Sequence, residues 1–167
     1  VALIHYAQPA IKFIVPAVPQ WRDAITKAAK DAEVYTNVQI LNGQSHLALA
    51  ACDVTLIASG TATLEAALFK RPMVIAYNMS WMSWQIMRRK KLQPWVGLPN
   101  ILCDDFVVPE LLQDAATPDA LAAAVLKWFD EPEKIAALQQ RFYDLHLELQ
   151  RDTPQLAAHA IQNVLES

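Results

Sequence analysis

The residue types best suited to chemistry are concentrated in the run 57–65. An apolar stretch ends at Ser59, Gly60 and Thr61, and a helical pattern follows. Glycine permits positive φ and lets the backbone approach a ligand closely. The N-terminus of a helix offers N–H groups without intrahelical partners and the positive end of the helix dipole. The turn therefore predicts a phosphate-binding site, to which Ser59 and Thr61 would add hydroxyl donors.

Glu65 lies one turn after Thr61, on the same face of the predicted helix. A capping box needs a glutamate at the third position after the N-cap, and neither Ser59 nor Thr61 as N-cap places Glu65 there. No Lys or Arg lies three or four residues away to pair with it. Such a carboxylate is placed to accept hydrogen bonds from ribose hydroxyls. A solvated surface glutamate is the alternative.

Other candidate sites are weaker. There is neither a Gly-x-Gly-x-x-Gly motif nor a P-loop lysine, so a dinucleotide cofactor or ATP hydrolysis is not predicted. The histidines lack metal-ligand spacing. Only His46 falls near a predicted ligand edge; it would either contact the substrate there or lie at a helix start or on the surface. Asp104 and Asp105 fit a loop or cap. Cys52 fits a small buried residue, and Cys103 has no neighbouring base. No metal or cofactor is predicted.

A second informative segment covers residues 80–95, where four consecutive cations follow two tryptophans and two methionines. An amphipathic basic helix with tryptophan suits the interface of an anionic membrane. The residues that would contact a membrane or acyl chains are Trp81, Trp84, Met87, Arg88, Arg89, Lys90 and Lys91. A Trp and Met stripe facing the core, beside a solvated basic run, is the alternative.

The elements that must position these residues alternate along the chain. Apolar runs predict strands at 12–16, 38–41, 54–57 and 73–77, with helical patterns at 1–8, 19–32, 45–51 and 61–70. This alternation indicates an α/β fold with a Rossmann-like, doubly wound parallel sheet. Such sheets bind ligands at the carboxyl ends of their strands. The loops around 16–19, 42–46, 58–61 and 78–100 should therefore carry the site.

The last third of the chain is predicted to be helical, at 118–129, 133–149 and 153–165. Thr117 followed by Pro118 is a favourable N-cap and first helical residue. Apolar residues in the second of these helices step by three and four, which permits a coiled-coil seam. Because the repeat lasts barely two heptads, packing of this helix on its own sheet is favoured.

The composition limits the function classes. The chain has 167 residues, 54% hydrophobic and 19% charged, with a net charge of -3, which indicates one well-filled domain and no general nucleic-acid binder. Two cysteines fit a reducing compartment. No run of about 18 apolar residues is present to span a membrane. The start lacks Met and a basic n-region, which indicates a chain cut from a longer one.

Three blocks of the sequence resemble one family. Residues 59–66, 71–77 and 98–102 are similar, in order and spacing, to the lipid-A-disaccharide synthase family of GT-B glycosyltransferases. The likeness covers most of the chain. Ser-Gly-Thr with a helical glutamate is shared more loosely with other GT-B enzymes and with sugar-nucleotide epimerases. The block at 98–102 narrows the resemblance to this family.

The resemblance implies a UDP-sugar donor. Ser59, Gly60 and Thr61 would face the diphosphate, and Glu65 the ribose. Asn100 would hydrogen-bond the nucleotide or donor sugar from its loop, although the residues alone favour an Asn that caps a turn after Pro99. The implied reaction joins UDP-2,3-diacylglucosamine to 2,3-diacylglucosamine 1-phosphate with inversion, giving a β-1,6 disaccharide and UDP. The implied location is cytoplasmic, peripheral to the inner membrane of a Gram-negative bacterium.

The resemblance also implies that residues 1–167 are one partial UDP-sugar-binding domain. The amino-terminal acceptor domain with the general base, the first strand of this domain, and a Gly-Ser-Arg loop would lie before Val1. We therefore expect weak UDP binding at best, no catalysis by the chain alone, and possible homodimerisation through open sheet edges. The alternatives are another GT-B enzyme or UDP-sugar epimerase, and a non-catalytic binding or assembly module.

Overall fold

A computed structural model of the protein describes residues 1–80, 82–85 and 93–166. The strands are β1 (Phe13–Ala17), β2 (Val38–Asn42), β3 (Thr55–Ala58), β4 (Met73–Tyr77) and β5 (Glu110–Leu112). The helices are α1 (Ala2–Ala7), α2 (Arg22–Asp31), α3 (Ser45–Ala51), α4 (Thr61–Leu68), α5 (Leu98–Cys103), α6 (Pro118–Phe129), α7 (Pro132–Leu149) and α8 (Thr153–Leu165). Strands and helices thus alternate through β4, as the apolar pattern predicts.

All strand pairs of the described residues are parallel. β1 pairs with β2 from Phe13 opposite Val38 onward, and β4 lies between β3 and β5. Parallel strands joined by helices confirm the predicted α/β class. The strands form two hydrogen-bonded groups, β1-β2 and β3-β4-β5. One edge of β1 and one edge of β3 therefore have no strand partner among the described residues.

The core is built on β4, the central strand of the larger group. Met73, Val74 and Ile75 are fully buried, as expected for a parallel strand covered on both faces. Trp128 of α6 packs in the same core, and its indole N–H donates to the Met73 carbonyl at 3.1 Å. The buried Ile4 of α1 belongs to the same cluster. One core thus fixes the strand ends that carry the candidate site.

The predicted packing of the long helix is confirmed. Leu138, Phe142 and Leu145 of α7 are buried in the core cluster, so this apolar stripe faces the helix's own domain rather than a coiled-coil partner. α8 differs, because none of its described residues is buried. Ile161 and Leu165, spaced four residues apart on one face of α8, expose 62% and 81% of their surface, which leaves an apolar helix face open to solvent.

Two elements were not predicted. The sequence predicts a loop over 78–100, but the structure begins α5 at Leu98 within it, and residues 110–112 form β5. α5 has only six residues and contains Pro99 near its start, so it is too short to show a helical period. β5 has only three residues and begins with Glu110. Tertiary contacts rather than local pattern stabilise both elements.

The first prediction concerns the N-cap of α6. Thr117 Oγ1 accepts a hydrogen bond from the Ala120 N–H at 3.2 Å, which confirms the predicted cap. We expect Thr117→Ala to lower the free energy of unfolding by about 1 kcal/mol, because this N–H then has no capping oxygen. Thr117→Ser should keep most of the parent's free energy of unfolding, because its hydroxyl can accept the same hydrogen bond. Urea unfolding followed by circular dichroism measures both; equal stability of the two variants would contradict the prediction.

Candidate functional site

The turn between β3 and α4 has the backbone that the sequence predicts for a ligand-binding turn. Gly60 is the N-cap of α4 and has φ 148° and ψ -169°, a conformation that side-chain-bearing residues rarely adopt. A Cβ placed on Gly60 would meet no atom within 4 Å, so backbone conformation rather than space requires the glycine. Gly60 and Thr61 are exposed, and the start of α4 is therefore open to a ligand.

Two side-chain hydroxyl groups form hydrogen bonds with backbone carbonyls at this turn. Thr63, which is fully buried, donates from Oγ1 to the Gly60 carbonyl at 2.7 Å. Ser59 Oγ donates to the Val96 carbonyl at 3.4 Å, a long and therefore weak bond. A serine hydroxyl has one proton, so donation from Ser59 to a phosphate would replace its bond to Val96.

Glu65 lies beside His46, a residue of a different helix. His46, in α3 just after β2, lies with Nε2 3.4 Å from Glu65 Oε2. The two side chains are 72% and 42% exposed, and a surface pair of this kind contributes little stability. The imidazole also lies 5.6 Å from the Phe69 ring, measured between centroids. The loop after β2 and the helix after β3 thus meet at one edge, where the carboxylate remains accessible.

Asn100 is held inside the domain by hydrogen bonds to other parts of the chain. It is fully buried in α5, and its Nδ2 donates to the Val108 carbonyl at 2.9 Å and to Glu110 Oε1 at 2.8 Å. Its Oδ1 accepts from the Val108 N–H at 2.9 Å. Both amide protons are therefore committed within the chain. This position favours a structural role over the predicted direct contact with the nucleotide.

Glu110 is the site residue that sequence reasoning missed. Its carboxylate, at the start of β5, accepts hydrogen bonds from the backbone N–H groups of Val96 and Gly97 and from Asn100. It therefore holds the segment that contacts Ser59. The only sequence feature that could have indicated this role is a single glutamate in the otherwise apolar run 107–112. The same pattern also fits an ordinary edge strand.

The predicted membrane segment is only partly described. Trp84 is half-buried and lies in the helical stretch 82–85. The other proposed contacts, Trp81, Met87, Arg88, Arg89, Lys90 and Lys91, lie outside the described residues. Among the residues that are described, no helix combines the length and the apolar character needed to cross a membrane. Contact with a membrane or with acyl chains therefore stays a prediction.

The aspartates and cysteines that were not assigned to the candidate site lie in a loop, at a helix end or in the interior. Asp104 ends α5 with φ 50°, and Asp105 accepts the Phe106 N–H at 2.7 Å, which confirms their predicted loop and cap roles. Cys103 is buried, and burial raises the pKa of its thiol, whereas Cys52 is only half-buried. No group of three potential metal ligands occurs within residues 1–80, 82–85 and 93–166.

The fold and the turn define a class of protein. A parallel α/β domain with an exposed helix start at a strand end is a Rossmann-like domain, a fold in which such strand ends commonly bind phosphate-containing ligands. A model of the lipid-A-disaccharide synthetase family matches residues 1–161. The chain therefore belongs to the lipid-A-disaccharide synthetase family.

Curated relatives agree with the family match. The chain is 73% identical, over 99% of its length, to a lipid-A-disaccharide synthase of Albidiferax ferrireducens. It is 62% identical, over 98% of its length, to that of Verminephrobacter eiseniae, and 50% identical, over 94%, to that of Thiobacillus denitrificans. It covers 43%, 43% and 42% of these relatives' own lengths. The chain thus spans less than half the length of these relatives.

Proposed function

We propose that this chain is the UDP-sugar-binding part of a lipid A disaccharide synthase, an inverting glycosyltransferase. The enzyme transfers 2,3-diacylglucosamine from UDP-2,3-diacylglucosamine to 2,3-diacylglucosamine 1-phosphate, giving the β-1,6 disaccharide and UDP. One observation carries the proposal: the exposed start of α4 after Gly60, with the Glu65 carboxylate one turn later. Family membership and the relatives' names support it.

The proposed roles follow from the chemistry of the two ends of a nucleotide. The first N–H groups of α4, with the Ser59 and Thr61 hydroxyls, bind the diphosphate and stabilise the charge that develops on departing UDP. Glu65 accepts hydrogen bonds from the ribose. Asn100 serves the same site by holding α5 against Val108 and Glu110. The general base that deprotonates the acceptor hydroxyl belongs to the rest of the enzyme.

We assign residues 1–167 to a single partial domain that is inactive alone, with the acceptor and catalytic domain elsewhere in the protein. A strand preceding α1 would join β1 by a right-handed crossover. Among the described residues β1, β2, β3 and β5 each have one unpaired edge, and we place that strand between β1 and β3, where it would join the two groups into one sheet. A loop leading out of it would reach the same edge as Gly60, which is where an arginine supporting the diphosphate is expected.

The proposed partners extend beyond the substrates. Tryptophans and cations of the 80–95 segment suit peripheral attachment to the cytoplasmic face of an inner membrane, where the acylated substrates reside. The exposed apolar face of α8 supports a homodimer, since such a face is usually covered by a partner. The acidic net charge gives no support to a nucleic-acid partner.

Titration with UDP by calorimetry tests the proposed site. The measurement uses the 167-residue chain and a rebuilt enzyme in which this chain replaces the matching part of the Albidiferax ferrireducens relative. We expect Glu65→Ala to weaken UDP binding roughly 10- to 100-fold, because hydrogen bonds to a charged group contribute about 1.5–3 kcal/mol. Glu133→Ala, which removes an exposed helical glutamate from α7, is the matched control and should bind like the parent.

The alternative functions predict different results from this titration and from an assay of disaccharide formation by the rebuilt enzyme. A UDP-sugar epimerase would bind UDP equally well but form no disaccharide in the rebuilt enzyme. A non-catalytic assembly module would bind a partner without nucleotide. A folded rebuilt enzyme that does not bind UDP, or equal affinities for Glu65→Ala and Glu133→Ala, would contradict the proposed site.

A further inference from the structure

The Glu110 carboxylate is satisfied by neutral donors rather than by a cation. Its Oε2 accepts from the Val96 N–H at 2.9 Å, and its Oε1 accepts from the Gly97 N–H and from Asn100 Nδ2, both at 2.8 Å. None of the ion pairs formed by the described residues includes Glu110. Hydrogen bonds to a charged acceptor are the strong ones, so this carboxylate holds the segment 96–100 firmly.

The segment that Glu110 holds is also fixed from its other side. A Cβ on Gly97 would lie 2.3 Å from Ile75 Cδ1 and 3.0 Å from Glu110 Oε1. A side chain at residue 97 would therefore force the buried Ile75 side chain or the Glu110 carboxylate to move. From this position the Val96 carbonyl reaches Ser59 Oγ at 3.4 Å, and Ser59 immediately precedes Gly60. A continuous set of contacts thus joins Glu110 to the candidate phosphate-binding turn.

We propose that Glu110 is a positioning residue of the phosphate-binding turn, acting through Val96 and Ser59. It does not contact the nucleotide; it fixes the Val96 carbonyl that orients the Ser59 hydroxyl before the ligand arrives, and Ser59 leaves this long bond when it donates to a phosphate. Ordering a binding site in advance raises affinity because the ligand no longer has to supply that ordering. The inference rests on the proposed function and adds to it a residue outside the turn.

Two competing roles predict different results. If Glu110 only stabilises the fold, its loss lowers stability and leaves the UDP affinity of the folded protein unchanged. If its negative charge mainly repels the diphosphate, neutralising it strengthens UDP binding. A positioning role predicts weaker binding despite the removed charge. It also predicts that Glu110 and Ser59 act on the same contact and are therefore not additive.

Calorimetry on the rebuilt full-length enzyme tests the proposal with Glu110→Gln. Glutamine keeps the shape of the side chain. Its NH2 group must, however, face at least one of the three N–H groups that donate to the carboxylate, and that hydrogen bond is lost. We expect UDP affinity to fall about tenfold, as is typical when a group that supports a binding contact is removed. In a Ser59→Ala background the same change should have much less effect. In a Glu65→Ala background it should keep its full effect.

Trp128→Phe is the stability control, since it removes one buried hydrogen bond to β4 without touching the turn. It should lower the melting temperature without changing UDP affinity. Unchanged or tighter UDP binding by Glu110→Gln would overturn the positioning role, as would full additivity with Ser59→Ala. Failure of the parent enzyme to bind UDP would overturn the proposed site as well, whereas UDP binding that depends on Glu65 but not on Glu110 would overturn this inference alone.

Discussion

Gly60→Val should weaken UDP binding roughly 10- to 100-fold while leaving a folded protein. The native backbone at Gly60, with φ 148° and ψ -169°, is essentially closed to a β-branched residue, and the strain is on the order of 1–3 kcal/mol or more. The turn must change conformation to relieve this strain, which moves the first N–H groups of α4 away from the phosphate. Calorimetry with UDP on the rebuilt enzyme measures the loss.

The controls for Gly60→Val separate the site from general destabilisation. Thr117→Ala removes a helix cap in α6 and should lower stability while leaving UDP affinity unchanged. Because a Cβ at residue 60 would meet no neighbouring atom, Gly60→Ala should show a smaller loss that comes from backbone strain alone. UDP binding by Gly60→Val at the parent's affinity would show that the nucleotide binds elsewhere.

Asn100→Ala should lower the free energy of unfolding by about 3–4 kcal/mol, because it leaves buried polar groups of Val108 and Glu110 without their partner. This is a large part of the stability of a typical domain. Urea unfolding measures the effect, and Asn163→Ala in the exposed helix α8 is the control. A cost below about 1 kcal/mol together with lost UDP affinity would instead support direct contact between Asn100 and the nucleotide.

The backbone of the candidate phosphate-binding turn could be predicted because its signal is local. Glycine at a strand-to-helix junction reports a backbone requirement, and Gly60 has the unusual φ that this signal implies. The alternation of apolar runs likewise gave the parallel α/β class. Local pattern does not say which strands are neighbours, so the division of the strands into two hydrogen-bonded groups was not predicted.

The polar partners of the site were not predictable because they come from distant parts of the chain. Glu65 meets His46 only because the ends of consecutive strands lie at one edge. The family resemblance implies that Asn100 contacts the ligand, whereas the residues alone favour an Asn that caps a turn after Pro99. In the structure the Asn100 amide joins α5 to the segment before β5, and Glu110 completes the network. Neither short element has a period from which this contact could be inferred.

Disaccharide formation by the rebuilt enzyme tests the central claim most directly. The assay supplies UDP-2,3-diacylglucosamine and 2,3-diacylglucosamine 1-phosphate and follows release of UDP together with the β-1,6-linked product. We predict product formation when this chain replaces the matching part of the Albidiferax ferrireducens relative, and a rate roughly 10- to 100-fold lower, at donor concentrations below saturation, when the same protein carries Gly60→Val. A folded rebuilt enzyme that forms no disaccharide, or one whose rate Gly60→Val leaves unchanged, would contradict the account.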